Sequence, residues 1–216
     1  MQLHTYIDHT LLKPTTLISE VTTLCSEAMQ YQFTAVCVPP LFVKQAKQLL
    51  NNTTVKVATV IGFPFGYSAV EAKIAELLLA IVDGADELDV VVNIAALKNN
   101  DWQYLANEIN HIMAIITNHH KTIKIIIETG VLTQQEIIKC CDIYGAAGVH
   151  YLKTSTGYAA VGATVAAVVL LRKHLNNTIK IKASGGIKTA AFAKELIAAG
   201  ANRIGASASV QLVTEV

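Results

Sequence analysis

Short β-branched runs alternate along the chain with stretches whose apolar residues recur at helical spacing, in units of about 21–37 residues. The pattern predicts strands at Tyr6–Thr10, Thr34–Val38, Val55–Ile61, Glu87–Val92, Ile123–Glu128, Val149–Lys153, Ile179–Ala183 and Arg203–Ala206, eight in all. Runs such as Ile123–Lys124–Ile125–Ile126–Ile127 are nearly unbroken in β-branched residues and suit strands covered on both faces. Between strands, Leu17, Val21, Leu24 and Ala28 share one helical face. Ser68–Glu71 and Thr133–Glu136 have the spacing of a capping box, and Gly84, Gly148 and Gly200 stand where helices would hand over to the next strand.

Alternating strands and helices build a parallel sheet covered by helices. Eight such units predict an α/β fold, a (β/α)8 TIM barrel, as a single domain over residues 1–216. A doubly wound open sheet fits less well. Its first turn should carry G-x-G-x-x-G, whereas the glycine-rich turns here fall late in the chain. About ten residues follow the eighth strand, so the closing helix is expected to be short or absent.

Composition narrows the class. The chain is 52% hydrophobic and 15% charged, too apolar for disorder. Its longest apolar run, Val165–Leu171, has seven residues, far below the roughly 20 of a membrane span. Met1–Gln2–Leu3–His4 lacks the layout of an export signal. A net charge of +1, with 17 basic and 16 acidic side chains dispersed, argues against nucleic-acid or membrane partners. Cys25, Cys37, Cys140 and Cys141 show no metal-ligand spacing, and reduced thiols in a cytoplasmic protein are expected. The seven histidines form no H-E-x-x-H or similar cluster, so no metal is expected. Cys37 reads as core.

In a barrel, chemistry gathers at the C-terminal ends of the strands. Those ends carry Asp8 and Thr10, Cys37, Gly62, Asp89 and Asn93, Glu128, Lys153, Lys182, and Ser207. Lys153 and Lys182 end neighbouring strands. Burial and a second ammonium both disfavour a charged lysine, leaving free amine to attack a carbonyl and form an imine. Two ordinary lysines, one ion-paired and one solvated, fit the same positions. Thr154–Ser155–Thr156–Gly157, Ser184–Gly185–Gly186 and Gly205–Ala206–Ser207 follow strands six, seven and eight. Exposed backbone N–H groups there would cradle a phosphate, and tight turns are the plainer reading of any one of them. Asp86 and Glu87 read as loop or strand-entry residues rather than catalysts, and Glu128 as a weaker catalytic candidate than Asp89 or the structural partner of a lysine.

Tyr151–Gly157, Lys180–Gly186 and Asp86–Val91 resemble signatures of the deoxyribose-phosphate aldolase family, as do Ile7–Pro14 and Gly62–Phe63–Pro64. The resemblance runs in order from about residue 6 to residue 209, with segments specific to that family. It implies a class I aldolase, needing no metal or cofactor, that reversibly splits 2-deoxy-D-ribose 5-phosphate into D-glyceraldehyde 3-phosphate and acetaldehyde. By that resemblance Lys153 forms the Schiff base, Lys182 perturbs it and Asp89 takes part in proton transfer. Substrate binding is expected from Asp8, Thr10, Thr156, Gly157, Gly185, Gly186, Gly205 and Ser207, and a homodimer or higher homo-oligomer is implied. Two departures stand out. Ala208 replaces a second serine, and no tyrosine follows Tyr158 where some members carry one in a C-terminal tail. Another class I aldolase, a phosphosugar isomerase and an inactive phosphate-binding barrel remain rival readings.

Overall fold

The computed structural model describes residues 2–215; Met1 and Val216, the ends of the expected domain, lie outside the described residues. Eight parallel strands close into a barrel in chain order: β1 (Ile7–Thr10), β2 (Ala35–Val38), β3 (Lys56–Ile61), β4 (Glu87–Val91), β5 (Thr122–Ile126), β6 (Tyr151–Lys153), β7 (Lys180–Ser184) and β8 (Arg203–Ala206). The register closes the ring, with Asp8 opposite Ala35 on one side and Gly205 on the other. Every expected strand is present, with ends trimmed by at most two residues or extended by one. The expected TIM barrel is therefore the observed fold. Among the described residues, no helix is long and apolar enough to cross a membrane.

The helices are α1 (Ile18–Gln30), α2 (Val43–Leu49), α3 (Val70–Val82), α4 (Ile94–Lys98), α5 (Trp102–Asn118), α6 (Gln134–Ala146), α7 (Val165–His174), α8 (Ala190–Ala198) and α9 (Ser209–Thr214). The last is short, the first of the two expected outcomes. In α1, Val21, Leu24 and Ala28 are buried, but Leu17 is 61% exposed, because it sits outside the first turn as the N-cap. Thr133 and Glu136 form the expected capping box on α6: the Glu136 N–H donates to the Thr133 hydroxyl, and the Thr133 N–H donates to the Glu136 carboxylate. Ser68 does not cap α3. That helix starts a residue later, with Ala69 at the N-cap and no side chain on its first turn. Gly84, Gly148 and Gly200 each follow a helix, and their N–H groups bond back to Ile81, Gly145 and Ile197.

Alternation along the strands separates two environments. Outward residues such as Val36, Val57, Leu88, Ile123, Ile125, Leu152, Ile181 and Ile204 join the helices in one large apolar core. Fully burying one such side chain stabilises the fold by about 1.5–3 kcal/mol. Inward residues differ. Only Cys37, Ala58 and Val60, with Leu12 and Phe63, make a small apolar cluster inside the barrel. Most of the remaining interior is charged.

Candidate active site

Seven buried carboxylate, lysine and arginine side chains point into the barrel: Asp8 from β1, Glu87 and Asp89 from β4, Lys124 from β5, Lys153 from β6, Lys182 from β7 and Arg203 from β8. They form one network. Asp89 is its hub: one carboxylate oxygen accepts from Lys153 and Lys182 at 2.8 Å each, and the other accepts from Lys124 at 2.7 Å. Asp8 lies 2.5 Å from Lys182 and also pairs with Arg203. Glu87 lies 2.5 Å from Lys124 and 3.1 Å from Arg203.

Buried charges must be matched. With three carboxylates, three cations neutralise the interior, and the network holds four. One cation is surplus. Burial pushes Lys153 down; Asp89 opposes that, Lys182 reinforces it, and the net shift is below the ordinary lysine value. Lys182 moves the other way: burial would lower it, but Asp8 and Asp89 hold its ammonium above the ordinary value. Lys124 is raised likewise, as Asp89 and Glu87 outweigh burial. For Asp89, burial favours the neutral acid, yet Lys124, Lys153 and Lys182 together hold the carboxyl well below its ordinary range. Lys153 is the lysine whose free amine these surroundings favour.

A cavity of about 390 Å³ opens at the C-terminal ends of the strands, bordered by Thr10, Lys153, Thr156, Ser184 and Ser207 among others. Of the four interior cations only Lys153 borders it. Gly157, Gly185, Gly186 and Gly205 line it too, so the expected substrate-binding positions converge on one space. Asp8 is the exception. Expected to bind substrate, it is wholly buried under the network and does not reach the cavity, because its carboxylate is drawn to Lys182 and Arg203. Asp89 likewise stands behind Lys153 rather than against the cavity.

Gly185 (φ +88°) turns the chain after β7 in the left-handed region, and a Cβ on Gly162 would come within 2.3 Å of its carbonyl oxygen. The loops after β6 and β7 thus pack backbone to backbone. Among the described residues, the N–H groups of Gly186, Ile187 and Ser207 take no hydrogen-bond acceptor. Gly205 acts differently: a Cβ there would lie 3.0 Å from Lys182 Cε, so its bareness makes room for that side chain.

Sequence reasoning missed several residues. Lys124 hides in the isoleucine run of β5, and Arg203 begins β8; the signal for both is a charged residue on the inward parity of a strand. Lys13, Tyr158 and Lys188 also border the cavity. Lys188 follows the Gly185–Gly186 turn, as a cation serving an anion would. Among the described residues Glu128 pairs with no lysine, contrary to expectation. It accepts instead from the Thr156 N–H and hydroxyl, because the loops after β5 and β6 are adjacent. Cys37 is fully buried inside the barrel, and burial raises its thiol.

A closed parallel barrel, a cavity at its C-terminal rim and a buried lysine bordering that cavity define a barrel enzyme of the aldolase class. The chain belongs to the DeoC/LacD family of aldolases, whose sequence profile matches residues 3–210. It is 45% identical over 216 residues to a deoxyribose-phosphate aldolase of Thermoanaerobacter sp. (strain X514), covering 100% of this chain and 97% of that one. Identity to the deoxyribose-phosphate aldolase of Thermococcus kodakarensis is 47% over 210 residues, covering 96% and 94%. A solved deoxyribose phosphate aldolase from Aeropyrum pernix, described as tetrameric, superposes with a TM-score of 0.92 at 30% identity, covering 98% of this chain and 89% of that one.

Proposed function

We propose that this aldolase reversibly cleaves 2-deoxy-D-ribose 5-phosphate to D-glyceraldehyde 3-phosphate and acetaldehyde through an imine on Lys153. The observation that carries the reading is that Lys153, the surplus cation of the interior, is the one interior cation that borders the cavity. A neutral amine has two N–H groups and a lone pair. One N–H is held by Asp89, and the lone pair is left for the substrate aldehyde.

Attack of the Lys153 amine on C1 forms a carbinolamine, and loss of water forms the protonated imine. The C3 hydroxyl then gives up its proton, the C2–C3 bond breaks, and its electron pair moves into the iminium to leave an enamine. Protonation at C2 and hydrolysis release acetaldehyde and restore the amine. We assign the proton exchange to Asp89 acting through water, since Asp89 lies behind Lys153 and touches no cavity surface. Lys182 keeps Lys153 uncharged and Asp8 holds Lys182 in place, so Asp8 is a positioning residue rather than a substrate ligand. The phosphate lies against Gly185, Gly186 and Ser207, with Lys188 at the rim. Thr10, Thr156, Gly157 and Gly205 complete the walls. A homodimer or higher homo-oligomer is proposed from likeness to the tetrameric relative, and a cytoplasmic setting from the four buried free thiols.

Borohydride added during turnover should reduce the imine and leave a stable adduct on Lys153, read by peptide mass mapping. An active enzyme whose Lys153 stays unmodified contradicts the assignment, and an isomerase would leave no adduct.

A further inference from the structure

We propose that Glu128 is a positioning residue that fixes the Thr156 hydroxyl as a hydrogen-bond acceptor toward the cavity. This wall of the site then selects a substrate hydroxyl beside the reacting carbon. The inference deepens the aldolase reading and rests on it.

Glu128 follows β5 with φ +58°, a left-handed conformation that non-glycine residues seldom adopt and keep only when their surroundings hold them. Its side chain is 3% exposed. That backbone turns the carboxyl onto the neighbouring loop, where the Thr129 N–H also donates to the Thr154 carbonyl at 2.7 Å. Glu128 Oε2 accepts the Thr156 N–H at 3.1 Å and the Thr156 hydroxyl as well. A backbone N–H can only donate, so Oε2 is an acceptor and the hydroxyl proton is committed to it. The Thr156 oxygen in turn accepts the Tyr158 N–H at 3.0 Å. One lone pair remains, and Thr156 borders the cavity.

Such an oxygen has nothing to give a carbonyl or a phosphate, and it accepts from a hydroxyl. With the imine at Lys153 and the phosphate at the Gly185–Gly186 turn, two hydroxyl-bearing carbons lie between. The C3 hydroxyl gives its proton away through Asp89 and water, which leaves the C4 hydroxyl, untouched by the reaction, for Thr156. Among the described residues, Thr156 is the side chain that Glu128 binds.

The test runs in the direction of synthesis, with acetaldehyde and either D-glyceraldehyde 3-phosphate or 3-phosphopropanal, which lacks the hydroxyl beside the aldehyde. The ratio of the two kcat/KM values measures discrimination. Glu128→Ala and Thr156→Val should each lower that ratio by about three- to tenfold, the worth of one hydrogen bond. The double variant should lose no more than either single one. Glu128→Gln, which keeps an acceptor for both Thr156 donors, should retain the wild-type ratio. Equal loss on both acceptors in Glu128→Ala, or additive losses in the double variant, would overturn the proposal. If Glu128→Ala does not fold, an unchanged ratio in Thr156→Val overturns it just as well. Borohydride trapping separates the two readings: a wild-type chain without an adduct defeats the aldolase mechanism, while an adduct with undiminished discrimination in the variants defeats this inference alone.

Discussion

At the scale of single residues, the site turns on how Lys153 and Lys182, on neighbouring strands, come to differ. Both donate to the same oxygen of Asp89, yet Lys182 also has Asp8 and Lys153 has no second carboxylate. Burial therefore depresses Lys153 while Lys182 stays charged. A lysine with a depressed pKa gains free amine as pH rises and completes that gain below the ordinary value of about 10.4. Lys182→Leu should make Lys153 the third cation of the network. Its ammonium would then persist to higher pH, kcat/KM at neutral pH should fall by about tenfold or more, and the loss should shrink as pH is raised. A pH profile that keeps its wild-type position would contradict the coupling. The pair itself was legible in the sequence, because Lys153 ends its strand and Lys182 lies two residues from the end of the next. Lys124 was not, since one lysine among isoleucines looks like a strand covered on both faces until parity assigns it inward.

At the scale of elements, the strand and helix order was readable because each unit carries its own periodicity. Local chemistry was read less evenly. Thr133 and Glu136 cap α6 as their spacing implies, but the same spacing at Ser68 and Glu71 misleads, since α3 begins at Val70 and Ser68 stays outside its first turn. Contacts between loops far apart in sequence left no periodic trace. The Glu128–Thr156 contact and the approach of Gly162 to Gly185 both belong to that kind. Gly162→Ala would place a Cβ 2.3 Å from the Gly185 carbonyl oxygen and push the turn after β7 out of position. The phosphate-end contacts should suffer first: KM for 2-deoxy-D-ribose 5-phosphate is expected to rise about tenfold with a smaller change in kcat. An unaltered KM would show that the packing of these two loops does not shape the phosphate end.

At the scale of the whole molecule, apolar side chains fill the layer between barrel and helices, and charge fills the barrel itself. Composition cannot reveal this division. A dispersed net charge of +1 gives no hint that seven carboxylate, lysine and arginine side chains from six strands meet at one centre. The arrangement costs stability, because buried charges lose their hydration, and it is tolerable only while cations and carboxylates balance. The cation whose charge the surroundings favour least, Lys153, is also the one that borders the cavity. The most direct test is a titration of the Lys153 amine in the intact enzyme, followed by NMR of ε-13C-lysine and assigned by the signal lost in Lys153→Met. Lys153 should titrate clearly below the ordinary lysine value while Lys182 remains charged throughout; a Lys153 that titrates at or above that value would show that its surroundings do not favour the free amine.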